Sequence, residues 1–210
     1  MMKNLILAAM VVVSASAAGE AAEAVMKASR GHVSVRGADS KTWVRAAAGM
    51  ELKKNDQVMT GKDGAVQLSF ANGATMLVKE RSRFAMKTDK WGKIIAFRRG
   101  EFLIGLRTKL QGNDRFRVKT PVAVAAVRGT VFWGKHEDAE GTSIACFTGV
   151  VDVWAKGKNV ALEPGLKTTV SADAPPADPV AAGIPPEYIQ NFSVDGSLQG
   201  IDEQIASEIR

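Results

Sequence analysis

Short stretches in which apolar and polar residues alternate run through most of the chain. Residues 33–36 read VSVR and residues 65–70 read AVQLSF, so every second side chain is apolar. A period of two is typical of a half-buried β-strand. Further strands are predicted at 74–79, 83–87, 94–98, 101–107, 115–119, 142–147, 149–155, 159–162 and 166–170. No helical periodicity of useful length occurs between residues 30 and 170, so the pattern predicts an all-β domain there.

Turn residues separate these predicted strands. Asn72-Gly73 stands between two of them and is a strong signal for a two-residue hairpin. Arg99-Gly100 similarly separates residues 94–98 from residues 101–107. Many short strands at regular spacing are typical of a sandwich, a barrel or a short solenoid-like stack, and periodicity alone does not choose among them.

The run from Thr120 to Trp133 interrupts the alternation. After Pro121, which suits the start of a strand, residues 122–127 are all apolar. Such a run predicts a strand that is covered on both faces. Arg128-Gly129-Thr130 follows, and a guanidinium at the end of an apolar run needs a partner.

The expectations for this tripeptide are primarily structural, and the alternative is that Arg128 is an exposed anchor for a partner. We expect Arg128 to be partly buried and held by carbonyl groups or by a carboxylate, for which the candidates are Asp56, Glu101 and Asp152. Gly129 is expected at a position of positive φ or close contact, and Thr130 is expected to restart the strand.

The same run resembles the signature of the FecR-like domain family. Thr120-Pro121 is followed by Val-Arg-Gly-Thr-Val-Phe at residues 127–132, which adds Phe132 to the motif residues. Further matches follow in order between residues 30 and 170. They are Gly31-His32-Val33, Trp43, Gly49, Leu52, Thr60-Gly61, Asp63-Gly64, Phe70, Asn72-Gly73, Gly100-Glu101, Gly149-Val150-Val151, Leu162 and Gly165. The family has Gly-Asp where this chain has Asn55-Asp56, and asparagine tolerates the same left-handed turn.

The resemblance implies a compact all-β body in which successive strands wrap in layers. It also implies a periplasmic domain that receives a signal from an outer-membrane receptor and relays it to a cytoplasmic segment that binds a sigma factor. This sequence shows no such cytoplasmic segment, so we expect that it does not itself carry a signal into the cytoplasm. The expected large core residues are Trp43, Phe70, Phe84, Phe97, Phe102, Phe116, Phe132 and Phe147, followed by Trp91 and Trp154.

Both ends of the sequence differ in composition from the predicted domain. Residues 1–18 combine Lys3, an apolar stretch at 5–13 and small residues, which predicts a signal peptide cleaved near Ala17 or Ala18. An uncleaved anchor is the alternative. We therefore expect a periplasmic or secreted protein without a transmembrane segment after cleavage. Residues 171–186 are rich in Ala, Pro and Asp and predict a linker, and residues 187–210 predict a small helical tail with an apolar stripe at Ile201, Ile205 and Ile209.

Motifs for catalysis are not found in the sequence. The two histidines, His32 and His136, are far apart, and Cys146 is the single cysteine. Neither a metal-ligand spacing nor a nucleophile or phosphate-loop motif occurs. The sequence thus predicts no catalytic, cofactor-binding or metal-binding residue and no enzyme, and it predicts that Cys146 is a buried small apolar side chain.

Positive charge is the remaining functional signal. The net charge is +6, and residues 115–119 alternate so that Arg115, Arg117 and Lys119 share one face. In an exported protein, an envelope protein or an anionic envelope component is a more plausible partner than nucleic acid. The sequence therefore favours a non-catalytic binding or sensory module, with a structural envelope protein or a carbohydrate- or lipid-binding protein as the alternative. The oligomeric state stays open.

Overall fold

The computed structural model describes residues 21–90, 92–106 and 116–183, and these residues contain strands and no helix. The all-β prediction is confirmed, whereas the predicted helical tail lies outside the described residues. In chain order the strands are β1 (Ala24–Arg30), β2 (Val33–Arg36), β3 (Val44–Arg45), β4 (Glu51–Leu52), β5 (Gln57–Thr60), β6 (Ala65–Phe70), β7 (Ala74–Val78), β8 (Arg83–Asp89), β9 (Gly92–Leu106), β10 (Phe116–Lys119), β11 (Val124–Val127), β12 (Val131–Glu137), β13 (Gly141–Thr148), β14 (Val151–Ala155), β15 (Lys158–Leu162), β16 (Leu166–Val170) and β17 (Val180–Ala181).

The strands form two layers that share β9. The first sheet has the order β4-β1-β6-β7-β9-β12-β13-β16-β17. The second sheet has the order β3-β2-β5-β8-β9-β10-β11-β14-β15. Among the described strands, β9 and β10 are the only parallel neighbours. The chain returns repeatedly from one layer to the other, which is the layered wrapping implied by the family resemblance.

Strand β9 connects the two layers, and the predicted break inside it is wrong. Residues Gly92–Arg99 pair with β8, and residues 100–106 pair with β7 and β12. Gly100 has φ +113°, and a Cβ there would lie 2.0 Å from Ser82 Oγ. The glycine therefore marks the point where one continuous strand passes between the sheets, because only a residue without a side chain fits there.

A hydrophobic core fills the space between the two sheets. Its aromatic residues form a chain of ring contacts, with centroid separations of 5.1 Å for Phe84–Phe97, 4.6 Å for Phe97–Phe102 and 5.9 Å for Phe102–Phe132. Phe70 and Phe116 add an edge-to-face contact at 5.0 Å. These six predicted core residues are confirmed as buried. Edge-to-face and offset ring pairs add to the stabilisation that burial itself provides.

Three of the predicted core residues are only partly buried. Trp43, Phe147 and Trp154 are half-exposed, and Trp91 lies outside the described residues. Trp154 follows Val153 on β14, and because Val153 points into the core, the neighbouring side chain points outward. The sequence could not assign the inward face of these strands from aromatic content alone.

Two further differences concern the first third of the domain. Strand β1 was not predicted, although its Ala24 and Met26 are buried against the core. The predicted two-residue hairpin has three residues instead, because Ala71 joins Asn72 and Gly73 in the connection. Gly73 N–H donates to Phe70 C=O at 3.0 Å, which closes the turn before β7 begins.

A second apolar cluster lies on the outer face of the first sheet. Leu77, Leu103, Val131 and Trp133 are buried there, together with Ala182 from the segment that follows β16. That segment lies against the sheet, since Ala182 N–H donates to Gly165 C=O at 2.7 Å and β17 pairs with β16. The described part of the predicted linker is therefore extended and hydrogen-bonded to the domain.

Candidate binding surface

The signature arginine lies on the surface, so its expected burial is wrong. Arg128 follows the last residue of β11 on a bend between the two sheets, where its side chain is exposed. No described residue forms an ion pair or hydrogen bond with it. Two proposed partners are engaged elsewhere. Asp56 accepts hydrogen bonds from the backbone of Ala38 and Lys53, and Glu101 accepts one from Trp133 Nε1 at 2.8 Å.

Gly129 does not have the positive φ that was one of its two expected features, whereas Gly149, which lies close to it, does. The φ of Gly149 is +69°. A Cβ on Gly149 would lie 2.6 Å from the Gly129 carbonyl oxygen. The tripeptide therefore packs against the turn before β14, and Gly149 is the position that cannot accept a side chain.

The other motif residues divide between the core and the surface. Phe132 is fully buried, and Thr130 is buried immediately before β12 begins at Val131. Thr130 C=O accepts a hydrogen bond from Leu106 N–H at 3.0 Å, which joins the tripeptide to β9. Pro121 is exposed in the turn between β10 and β11.

A buried polar chain joins that turn to the first sheet. Thr120 Oγ1 lies 2.7 Å from Thr142 Oγ1, which lies 2.9 Å from His136 Nδ1. Ala123 N–H donates to Thr120 Oγ1 at 3.0 Å. Burial lowers the pKa of His136, against the smaller opposing effect of Asp138. The imidazole is thus neutral at pH 7, and the chain of hydroxyls satisfies one of its two nitrogens.

The basic face predicted on β10 is reduced to one exposed cation among the described residues. Arg117 is buried, since its guanidinium forms a bidentate pair with Asp89 and also donates to Gly92 C=O at 3.0 Å. Lys119 is exposed, and Arg115 lies outside the described residues. The missed acid, Asp89, is the last residue of β8, and strand alternation gave no signal that it would reach Arg117.

An open depression of about 550 Å³ surrounds Lys119 on the outer face of the second sheet. Lys87 and Arg98 project beside it from β8 and β9, and both are exposed. Lys87 Nζ donates to Asn55 Oδ1 at 2.9 Å, an uncharged acceptor. Three cations from three neighbouring strands therefore lie around this depression, of which the sequence analysis had identified only Lys119 as a candidate.

An arginine–tryptophan stack lies on the same sheet and was not predicted. The guanidinium carbons of Arg36 and Arg83 lie 5.0 Å and 5.6 Å from the Trp43 ring centroid. Arg83 also donates to Gln57 Oε1 at 3.1 Å. Cation–π contacts of this kind are worth about 0.5–1 kcal/mol at exposed sites. Trp43 thus packs against two guanidinium groups rather than in the core.

The described residues contain neither a metal-binding group nor a membrane-spanning helix. No three His, Cys, Asp or Glu side chains there are grouped so that they could hold a metal ion. Cys146 is fully buried, as predicted, and its Sγ lies 3.3 Å from the Thr148 carbonyl oxygen. Within the same part of the chain, no helix is long and apolar enough to cross a membrane.

Comparisons with known proteins agree with this geometry. Two crystal structures of a candidate anti-sigma factor from Parabacteroides distasonis ATCC 8503 are similar in fold, with 16% identity and TM-scores of 0.51 and 0.50. Each match covers 60% of this chain and 59% of that chain, so the likeness spans less than two thirds of the solved protein. No curated protein matches the chain. Residues 56–152 match the family model described as FecR protein, and this match includes the signature run at residues 127–132. Residues 56–152 are therefore similar to the FecR domain family.

Proposed function

We propose that this protein is an exported, non-catalytic module that acts in the cell envelope by binding a macromolecular partner. The similarity to the FecR domain family supports the coarser class, a regulatory or sensory protein. The observation that carries the binding role is the set of exposed cations on the second sheet and its adjoining bend. Arg98, Lys119 and Arg128 are exposed, and no described carboxylate pairs with any of them.

Exposed cations without counter-charges support binding for an electrostatic reason. Arg98 and Lys119 line the same depression, where like charges repel one another, and an anionic partner relieves that repulsion on association. Complementary charge also raises the rate of encounter and excludes partners of the same sign. The partner class is thus an acidic envelope protein surface or an anionic envelope component. The narrower form of this proposal is participation in sigma-factor signalling, because the two structures of similar fold are of a candidate anti-sigma factor.

Export is tested by the mature N-terminus. Mass spectrometry of the protein from an envelope fraction should find a chain that begins close to Ala17 or Ala18, because the small residues there form the predicted cleavage site. An intact Met1 in the cytoplasmic fraction would contradict the proposal.

Partner binding is tested by capture from envelope extracts. The tagged full-length protein should retain a specific partner at low salt and release it as salt rises, because exposed charge pairs weaken under screening. The Lys27→Gln variant, which removes an exposed cation from the first sheet, is the matched control and should still capture the partner. Saturable turnover of a small molecule by the purified protein would overturn the non-catalytic role.

A further inference from the structure

The depression on the second sheet combines positive charge with an apolar floor. Lys87, Arg98 and Lys119 form its sides, while Ile94, Ala96 and Pro121 contribute apolar surface. Ile94 and Ala96 point outward on β9, since their neighbours Ile95 and Phe97 point into the core. A ligand that fits here must carry anionic groups and apolar surface together.

Among the described residues, only one carboxylate lines the depression, and it is already paired. Asp89 holds the guanidinium of Arg117, with Nη1–H···Oδ2 at 2.9 Å. The pair contributes no net charge, so the three exposed cations set the field inside the depression. Lys87 has a neutral hydrogen-bond partner, and Arg98 and Lys119 have no described ion pair.

The register of the strands extends this surface toward an aromatic side chain. Ala96 lies opposite Lys119, Lys119 opposite Val124, and Val124 opposite Trp154. Adjacent strands are about 4.8 Å apart, so Trp154 lies two strands, or about 10 Å, from Lys119. All of these side chains are on the outer face. The row therefore provides charge at one end and a half-exposed indole at the other.

The backbone beneath the depression is not available for pairing with a peptide strand. β9 is hydrogen-bonded to β8 and β10, and β10 is hydrogen-bonded to β9 and β11. Peptides that add to a sheet need an unpaired edge. The ligand must instead be recognised by side chains alone. This favours an extended chain of charged rings that each have an apolar face over a peptide strand.

We propose that this depression binds an acidic polysaccharide whose sugar units carry carboxylates, of the uronate type. The carboxylates contact Lys87, Arg98 and Lys119, and the apolar faces of the sugar rings lie on Ala96 and Trp154. Charge-assisted hydrogen bonds supply the anionic recognition, and the indole supplies a flat amphipathic surface. This inference rests on the proposed function, because it names the ligand of the proposed binding module.

The test measures binding of the purified full-length protein to oligogalacturonate by calorimetry or affinity electrophoresis. The comparison ligands are a neutral glucan, poly-L-glutamate and vesicles of phosphatidylglycerol. Saturable binding to oligogalacturonate, with weaker binding to each comparison ligand, is the expected result. Equal binding to poly-L-glutamate would show that the site recognises negative charge alone, which would overturn the proposal. Tighter binding to vesicles would assign a lipid headgroup and overturn it as well.

Matched variants locate the site. Arg98→Gln combined with Lys119→Gln should weaken oligogalacturonate binding by at least about tenfold, given the usual strength of hydrogen bonds to charged groups. Lys27→Gln combined with Lys62→Gln removes the same charge from exposed positions elsewhere and should change binding less than about twofold. Equal losses in the two double variants would overturn the assignment.

A single variant separates sugar recognition from charge. Trp154→Ala should weaken oligogalacturonate binding several-fold and leave the weak binding of poly-L-glutamate unchanged, because a glutamate chain presents no flat ring. Failure of oligogalacturonate binding while export and partner capture succeed would sink this inference alone. Failure of export or capture while glycan binding persists would sink the proposed function alone.

Discussion

A Cβ atom on Gly149 would lie 2.6 Å from the carbonyl oxygen of Gly129. This contact joins the signature tripeptide to the turn before β14 and places a steric requirement on a residue twenty positions further along the chain. Gly149 also has φ +69°, in the region that residues with side chains rarely adopt.

Gly149→Ala is expected to destabilise the domain. The left-handed backbone and the clash with a backbone oxygen together should cost about 2–4 kcal/mol. Thermal or denaturant unfolding of the purified variant measures the loss. Gly157→Ala is the matched control, since Gly157 has φ +77° and open space around it, so only the backbone cost of about 1–2 kcal/mol should remain. Equal losses would show that the contact with Gly129 is unimportant.

The two arginines of the signature region should differ in their effect on stability. Arg117→Ala breaks a pair whose arginine side chain is 10% exposed and whose Asp89 side chain is 40% exposed. The partial solvation of Asp89 lowers the expected cost to about 1–3 kcal/mol. Arg128→Ala should change the free energy of unfolding by less than about 0.5 kcal/mol, because the side chain is exposed. Denaturant titration of both variants decides. A large loss of stability for Arg128→Ala would show instead that Arg128 has a structural role.

Acid stability should depend on the contact between His32 and Asp63. His32 Nδ1 lies 3.0 Å from both carboxylate oxygens of Asp63, and this hydrogen bond holds the pKa of Asp63 below its ordinary value of 3.8. A lowered carboxyl pKa contributes stability above the unfolded value, and that contribution is lost as the pH falls through the folded value. Between pH 5 and strongly acidic pH, wild type should therefore lose more stability than Asp63→Asn. Parallel pH profiles of the unfolding midpoint would argue against the contact.

A second pH effect should come from His136. Burial lowers its pKa below the ordinary 6.5, so below that pH the unfolded chain binds a proton that the folded chain does not. Stability that is present above pH 6.5 is thus lost as the pH falls toward the folded pKa. Urea unfolding at pH 7.5 and pH 5.5 should show a larger drop for wild type than for His136→Gln. The exposed His32 is common to both proteins and cancels in this comparison. An identical drop in the two proteins would contradict the prediction.

The sequence predicted the strands well where one face is buried and the other solvated. The alternation of Val66, Leu68 and Phe70 with Gln67 and Ser69 is found in β6, and Asn55 adopts the left-handed turn expected there, with φ 68°. These features depend on neighbours along the chain. They also supplied the ordered motifs, of which those between residues 56 and 152 lie within the FecR match.

The candidate site was only partly predictable, because residues that are distant in sequence form it. Lys119 was identified from its own strand, but Lys87 and Arg98 join it from β8 and β9 because the register places them there. Arg117 was expected at the surface and is instead held by Asp89, a residue 28 positions away.

By itself, the sequence determined that this chain forms strands, where most of them lie and which side chains alternate, because these follow from local period and turn chemistry. Only the tertiary structure decided that β9 passes through both sheets and that Arg128 is exposed while Arg117 is paired. Pairing between distant strands sets these outcomes. Loop geometry and sheet register, rather than the chemistry of a residue and its neighbours in sequence, determine which charges meet.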